Sequence, residues 1–155
     1  MTDEESPRNG PSLKARAIAY LSRREHSRLE LRRKLAAYCD DPGQIEAVLD
    51  ELQHHHWQSD QRYAESYVQR QAVRQGAARI LQTLRRQGID EDALRALGGG
   101  LADTESERAR SVWQRKFGHP PADAREYARQ YRFLASRGFS AECVRRILGA
   151  RDAED

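Results

Sequence analysis

Long apolar runs are missing from this 155-residue chain. No stretch approaches the roughly 18 apolar residues that cross a membrane. Mean hydropathy is -0.93 with 38% hydrophobic residues, so cores must be thin and much surface solvated. Cysteine is scarce. Cys39 and Cys143 stand too far apart to suggest a disulfide framework, and a reduced, cytoplasmic setting is expected. The opening M-T-D-E-E-S-P-R-N-G-P-S lacks the apolar core of a signal peptide. Proline is confined to segment edges, at Pro7, Pro11, Pro42, Pro120 and Pro121. Alternating apolar and polar residues are absent, which argues against strands.

Chemistry-bearing motifs are also missing. There is no Ser/His/Asp set, nucleophile elbow or buried carboxylate pair, so no enzyme and no cofactor are expected. Gly98-Gly99-Gly100 has no preceding strand and no following Gly-Lys-Ser, which excludes a phosphate loop. His54, His55 and His56 are consecutive. Helical neighbours point about 100° apart and cannot converge on one ion, so no metal site is expected. Lysine is rare, with 3 against 24 arginines.

Arginine is what the chain has, in helical settings. From Arg70 to Ile89 it reads R-Q-A-V-R-Q-G-A-A-R-I-L-Q-T-L-R-R-Q-G-I. Ile80, Leu81 and Leu84 mark an apolar face at helical spacing. Gly88 supplies a stop. Arg70, Arg74, Arg79, Arg85 and Arg86 carry the charge with no acid between them. We read the stretch as one short basic helix that recurs. Shifted by 49 or 50 residues, Leu35, Leu84 and Leu134 coincide, followed by Ile45, Leu94 and Val144, then Val48, Leu97 and Ile147. Charge follows the same period. Residues 14–34, 61–89 and 108–151 are basic, while 40–60 and 90–107 hold six acids each and separate the units. A period of this size predicts stacked helical units.

The expected architecture is all-α: three tandem three-helix repeats in an elongated, curved array. Residues 1–12 read as a disordered tail. The repeats are 13–57, 58–101 and 102–150, and 151–155 is an acidic, loose end. Helix one spans about Leu13 to Glu25, with Ala15, Ile18, Leu21 and Ser22 on its core side. Ser27 and Glu30 form a capping-box pattern, and Pro42 opens helix three. Gly98-Gly99-Gly100 is expected to end a short helix from Asp90 to Leu97 and act as a joint. In the third repeat Ala109, Val112, Trp113 and Phe117 point inward, and Tyr127, Tyr131 and Leu134 share one face of the next helix. Gly138 stops that helix and Ser140 caps the last, which buries Cys143, Val144 and Ile147.

Candidate contact residues are the recurring basic faces. The first repeat offers Arg16, Tyr20, Arg23, Arg24, Arg28, Arg32 and Arg33; the second, Arg70, Arg74, Arg79, Arg85 and Arg86; the third, Arg125, Arg129 and Arg132. A local basic face sets the field a polyanion meets, whatever the net charge of +3. Tyr20 lies four residues from Arg16 and Arg24. It either stacks on a base or is half-buried between helices, and the sequence leaves both open.

Four segments resemble the RecX family of bacterial recombinase regulators. They are S-R-L-E-L-R-R-K-L at Ser27–Leu35, S-D-Q-R-Y-A at Ser59–Ala64, R-Q-G-A-A-R-I-L-Q-T-L-R-R-Q-G-I at Arg74–Ile89, and F-L-A-S-R-G-F-S at Phe133–Ser140. The second is similar to the family's Asp-x-Arg-Phe-Ala segment, with Ser59-Asp60 in place of its usual acidic pair. The glycine triplet is a further departure. The resemblance implies three tandem three-helix units in a curved molecule. It also implies a non-enzymatic role: binding the RecA filament on single-stranded DNA and inhibiting ATP hydrolysis, strand exchange and filament growth. A monomer with weak, electrostatic DNA affinity is expected. The competing expectation is a DNA-binding protein with helix-turn-helix-like units. Such proteins concentrate base contacts on one recognition helix, whereas here Arg is spread over several.

Overall fold

Side-chain caps decide where most of the helices begin. In the computed structural model, which describes residues 10–149, the elements are α1 (Leu13–Arg23), α2 (Arg28–Leu35), α3 (Pro42–His54), α4 (Asp60–Gln71), α5 (Ala77–Arg86), α6 (Glu91–Lys116), α7 (Ala124–Ser136) and α8 (Ala141–Leu148). No strand occurs among the described residues. Ser12, Ser27, Asp41, Asp90, Asp123 and Ser140 each accept a backbone N–H from the first turn of the following helix. Such a cap contributes about 1 kcal/mol. The tail expected over 1–12 lies outside the described residues up to position 9, as does the acidic end at 151–155; Ser12 itself caps α1.

The repeat is visible in the caps and in the core. Six residues after Leu35, Leu84 and Leu134 come the caps Asp41, Asp90 and Ser140. Leu35, Leu84 and Leu134 are fully buried, and Ile45, Leu94 and Val144 are at most 4% exposed. Val48, Leu97 and Ile147 are half-buried. Burying one such side chain contributes about 1.5–3 kcal/mol.

The chain divides into two compact units, residues 1–64 and 65–155, with the boundary inside α4. In the first unit, Ala17, Leu31, Leu35, Ile45, Leu49 and Leu52 form the core, flanked by Leu13, Tyr20 and Leu21. Under it runs a buried polar seam. The Gln58 side-chain amide donates to the His26 carbonyl at 3.3 Å and to Asp60 at 2.9 Å, and Asp60 also accepts the Arg28 backbone N–H at 2.8 Å. In the second unit, Ala109, Val112, Leu134, Phe139, Cys143 and Val144 form the core. Buried Gln130 accepts from the Trp113 indole at 2.8 Å and donates to the His119 carbonyl at 3.2 Å.

Four local expectations are corrected. Gly98-Gly99-Gly100 does not end a helix. It lies inside α6, which runs 26 residues and serves as both the last helix of the second repeat and the first of the third. Leu94 and Leu101 on either side of the triplet are 3% and 4% exposed, and this anchoring outweighs a glycine penalty of about 1 kcal/mol each. Arg70 to Ile89 is not one helix. α4 ends at Gln71, a turn covers 72–76, and α5 starts at Ala77. The turn exists because Gly76 passes against another backbone: a Cβ there would meet the Gly138 carbonyl oxygen at 2.3 Å. The Gly76 N–H donates to the Arg137 carbonyl at 2.8 Å. In α1, Ala17 is buried instead of Ala15, and Ile18 is 40% exposed, so the inward face is rotated from the expected one. Finally, Ser27 caps the Glu30 N–H, but the Glu30 carboxylate takes the Arg24 guanidinium rather than closing a capping box.

Candidate interaction surface

Most cations of the first unit are committed to the fold. Arg28 on α2 reaches Glu46 and Asp50 on α3, both at 2.7 Å, and Arg32 pairs with the same Glu46. Lys14 of α1 bonds Glu51 at 2.5 Å. The acids of 40–60 therefore neutralise their own repeat rather than separating it from the next. Arg32 first and Arg28 second hold the Glu46 carboxyl down at about 2. Arg24 pairs with Glu30, and Arg16 lies over the Tyr38 ring at 3.7 Å. Tyr20 packs half-buried on the core, as one of its two readings has it, with Lys34 over its ring at 4.7 Å. Of the seven candidates here, Arg23, Arg24 and Arg33 are exposed, Arg24 while paired with Glu30.

Buried His26 belongs to the same unit. Its Nδ1 lies 3.0 Å from the Arg24 carbonyl and its Nε2 lies 2.9 Å from the Lys34 ammonium. A neutral ring satisfies both, donating from Nδ1 and accepting at Nε2. Burial pushes its pKa down, against the raising effects of the Arg24 carbonyl and Glu30.

The second unit spreads its arginines differently. Arg70, Arg74, Arg79, Arg85, Arg86, Arg125, Arg129 and Arg132 are all exposed. Arg85 pairs with Glu91 at 3.0 Å, and Arg79 donates to the Ser136 carbonyl at 2.9 Å. Arg129 lies over the Phe117 ring at 5.4 Å. These contacts leave the guanidinium groups at the surface. Arg70 and Arg74 do not share a helix face, since Arg74 stands in the turn after α4.

That turn is held by cations that sequence reasoning missed. Arg108 of α6 donates to the carbonyls of Ala72 at 3.0 Å, Gln75 at 2.6 Å and Leu101 at 3.0 Å. Arg115 donates to the Val73 carbonyl at 2.7 Å. Two arginines thus satisfy carbonyls of the turn just past the C-terminal end of α4, where cations also suit the helix dipole. Burial lowers the Arg108 pKa, with Glu105 opposing. Glu105 meanwhile accepts the Ala77 N–H at 3.2 Å, standing in for the cap that Gly76 lacks. Around this frame, Arg74, Arg115, Lys116 and Arg137 rim a recess floored by Val112 and Phe133. Only Arg74 of this group was legible as a candidate. Arg115 and Lys116 needed the knowledge that α6 lies beside the 72–76 turn, and Arg137 that the end of α7 meets it. Among the described residues, no group of three or more His, Cys, Asp or Glu comes together to hold a metal ion, and no helix is long and apolar enough to cross a membrane.

Capped three-helix repeats, with basic surface on both units, define the class: an all-α protein of three tandem three-helix repeats. Models of the first, second and third three-helix domains of RecX match residues 14–52, 59–96 and 103–148. The regulatory protein RecX of Ralstonia nicotianae is 50% identical over 147 residues, spanning 95% of this chain and 92% of its own. That of Leptothrix cholodnii is 54% identical over 143 residues, spanning 92% and 91%. A crystal structure of RecX from Lactobacillus salivarius superposes with a TM-score of 0.71 at 23% identity, covering 87% of this chain and 91% of that one. A second RecX crystal structure gives 0.69 at 23% identity, covering 88% and 73%. The chain belongs to the RecX family of regulatory proteins.

Proposed function

We propose that this chain binds RecA filaments on single-stranded DNA and restrains the recombinase, slowing ATP hydrolysis, strand exchange and filament growth. Family membership carries the reading, through relatives about half identical to this chain that bear the name regulatory protein RecX. The exposed arginines of the second unit support it as a surface suited to an anionic assembly. In this reading the chain acts by binding rather than by chemistry, and its own affinity for DNA is modest and electrostatic. Arg70, Arg74, Arg85 and Arg86 are the favoured contacts, with Arg125 and Arg132 next. The test is RecA-driven ATP hydrolysis on single-stranded DNA with this protein titrated in. Hydrolysis should fall in proportion to bound protein. An unchanged rate at several-fold excess over RecA protomers rejects the proposal.

A further inference from the structure

The recess on the second unit shares Arg74 with the recombinase reading, which does not use the rest of its composition. Its floor is apolar, made of Val112, which is 7% exposed, and half-buried Phe133. Its rim holds four cations, Arg74, Arg115, Lys116 and Arg137, and none of the six lining residues is acidic. A plain phosphate surface needs the rim but has no use for the floor. A base-stacking platform needs an open ring face, yet Lys116 and Arg137 lie over Phe133 at 5.5 and 5.0 Å, with Phe117 against it edge-on. What satisfies both parts is a ligand carrying a carboxylate and an apolar side chain side by side.

The surroundings favour a chain rather than a small molecule. A second groove continues from Arg115 back along α6 to Ser106, lined by Arg108 and Arg110 and by one acid, Glu107, with Val73 on its edge at 55% exposure. Ten helical residues advance about 15 Å, the length of roughly four or five extended residues. Arg108 and Arg115 hold the Ala72, Val73 and Gln75 carbonyls, so the edge carrying Val73 and Arg74 is fixed in advance of binding. Such preorganisation lowers the ordering cost of association.

We infer that this recess docks an acidic peptide segment of a partner protein, with an apolar side chain against Val112 and the part of half-buried Phe133 that the cations leave open, and the neighbouring carboxylates on the cation rim. The site shares Arg74 with the proposed RecA surface, but its test uses no filament, so the two readings fail separately.

Fluorescence anisotropy tests it, using the full chain and three labelled probes. They are the hexapeptide Asp-Leu-Glu-Asp-Leu-Glu, the same peptide with Ser for Leu, and a hexathymidylate. The Leu peptide should bind about tenfold tighter than the Ser peptide and tighter than hexathymidylate. Arg74→Gln with Lys116→Gln should weaken the Leu peptide by about tenfold, and Arg74→Gln alone by about threefold, with helix content by circular dichroism unchanged. Should the double variant lose helix, the single variant in its exposed turn decides. Equal binding of Leu and Ser peptides would mean charge alone is read. Tighter hexathymidylate binding would make this a phosphate site, and unweakened variants would place the peptide elsewhere. Each of these overturns the inference.

Discussion

Two residues show how far local chemistry sets behaviour here. His26 is held neutral, with its pKa pushed down by burial. In the unfolded chain it takes a proton near pH 6.5. Stability from the neutral ring is therefore complete above that value and is lost as pH falls through it toward the folded value, at up to about 1.4 kcal/mol per pH unit. Thermal melts at about pH 7.5 and pH 5.5 should show the drop, and His26→Gln should flatten it. Glu46 acts in a separate window. Its stabilisation is present above the ordinary carboxylate pKa and fades only as pH falls toward about 2, so it does not mimic the histidine. Gly76 is the second case. Its missing Cβ makes room for the Gly138 backbone, which a side chain cannot push aside. Gly76→Ala should cost about 3 kcal/mol, the upper end of overpacking, read from denaturant midpoints. Neither role was legible. His26 stands in a polar stretch, and Gly76 reads as one more position inside a basic helix until its distant partner Gly138 is known.

At the scale of elements, periodicity and caps were readable and lengths were not. Leu84 was placed as a core column by the repeat, and it is fully buried. Leu84→Ala should cost about 2–5 kcal/mol, measured by equilibrium unfolding. The glycine triplet was misread because local propensity favours a break, while the buried Leu94 and Leu101 that carry α6 through are a tertiary effect. Within α6 the three glycines differ. A Cβ at Gly98 would come within 3.2 Å of Leu81, whereas Gly99 and Gly100 face open space. Gly99→Ala and Gly100→Ala should each raise stability by about 1 kcal/mol, visible as a higher melting temperature, and Gly98→Ala should gain less. A flexible joint at this place would predict no such gain. The arginine faces were legible as basic but not as free or committed. Arg28 and Arg32 find Glu46 only once α2 lies on α3.

At the scale of the whole molecule, the basic surface that remains lies largely on the second unit. Replacing Arg70, Arg74, Arg85 and Arg86 with Gln keeps helix propensity and much of each stem. Filament inhibition should fall by about tenfold or more with helix content intact, since about 1.4 kcal/mol of lost contact gives that factor. An unaltered inhibition curve would move attention to Arg125, Arg129 and Arg132. The repeat family could be seen in four short segments, but the partner could not be read from charge alone. The most direct measurement is therefore binding of the labelled chain to RecA filaments assembled on an oligothymidylate, beside the bare oligonucleotide at the same salt. Saturable binding to filaments, with much weaker and steeply salt-dependent binding to bare DNA, is the expected result. Equal affinity for both would contradict the proposal that this chain acts on the recombinase filament.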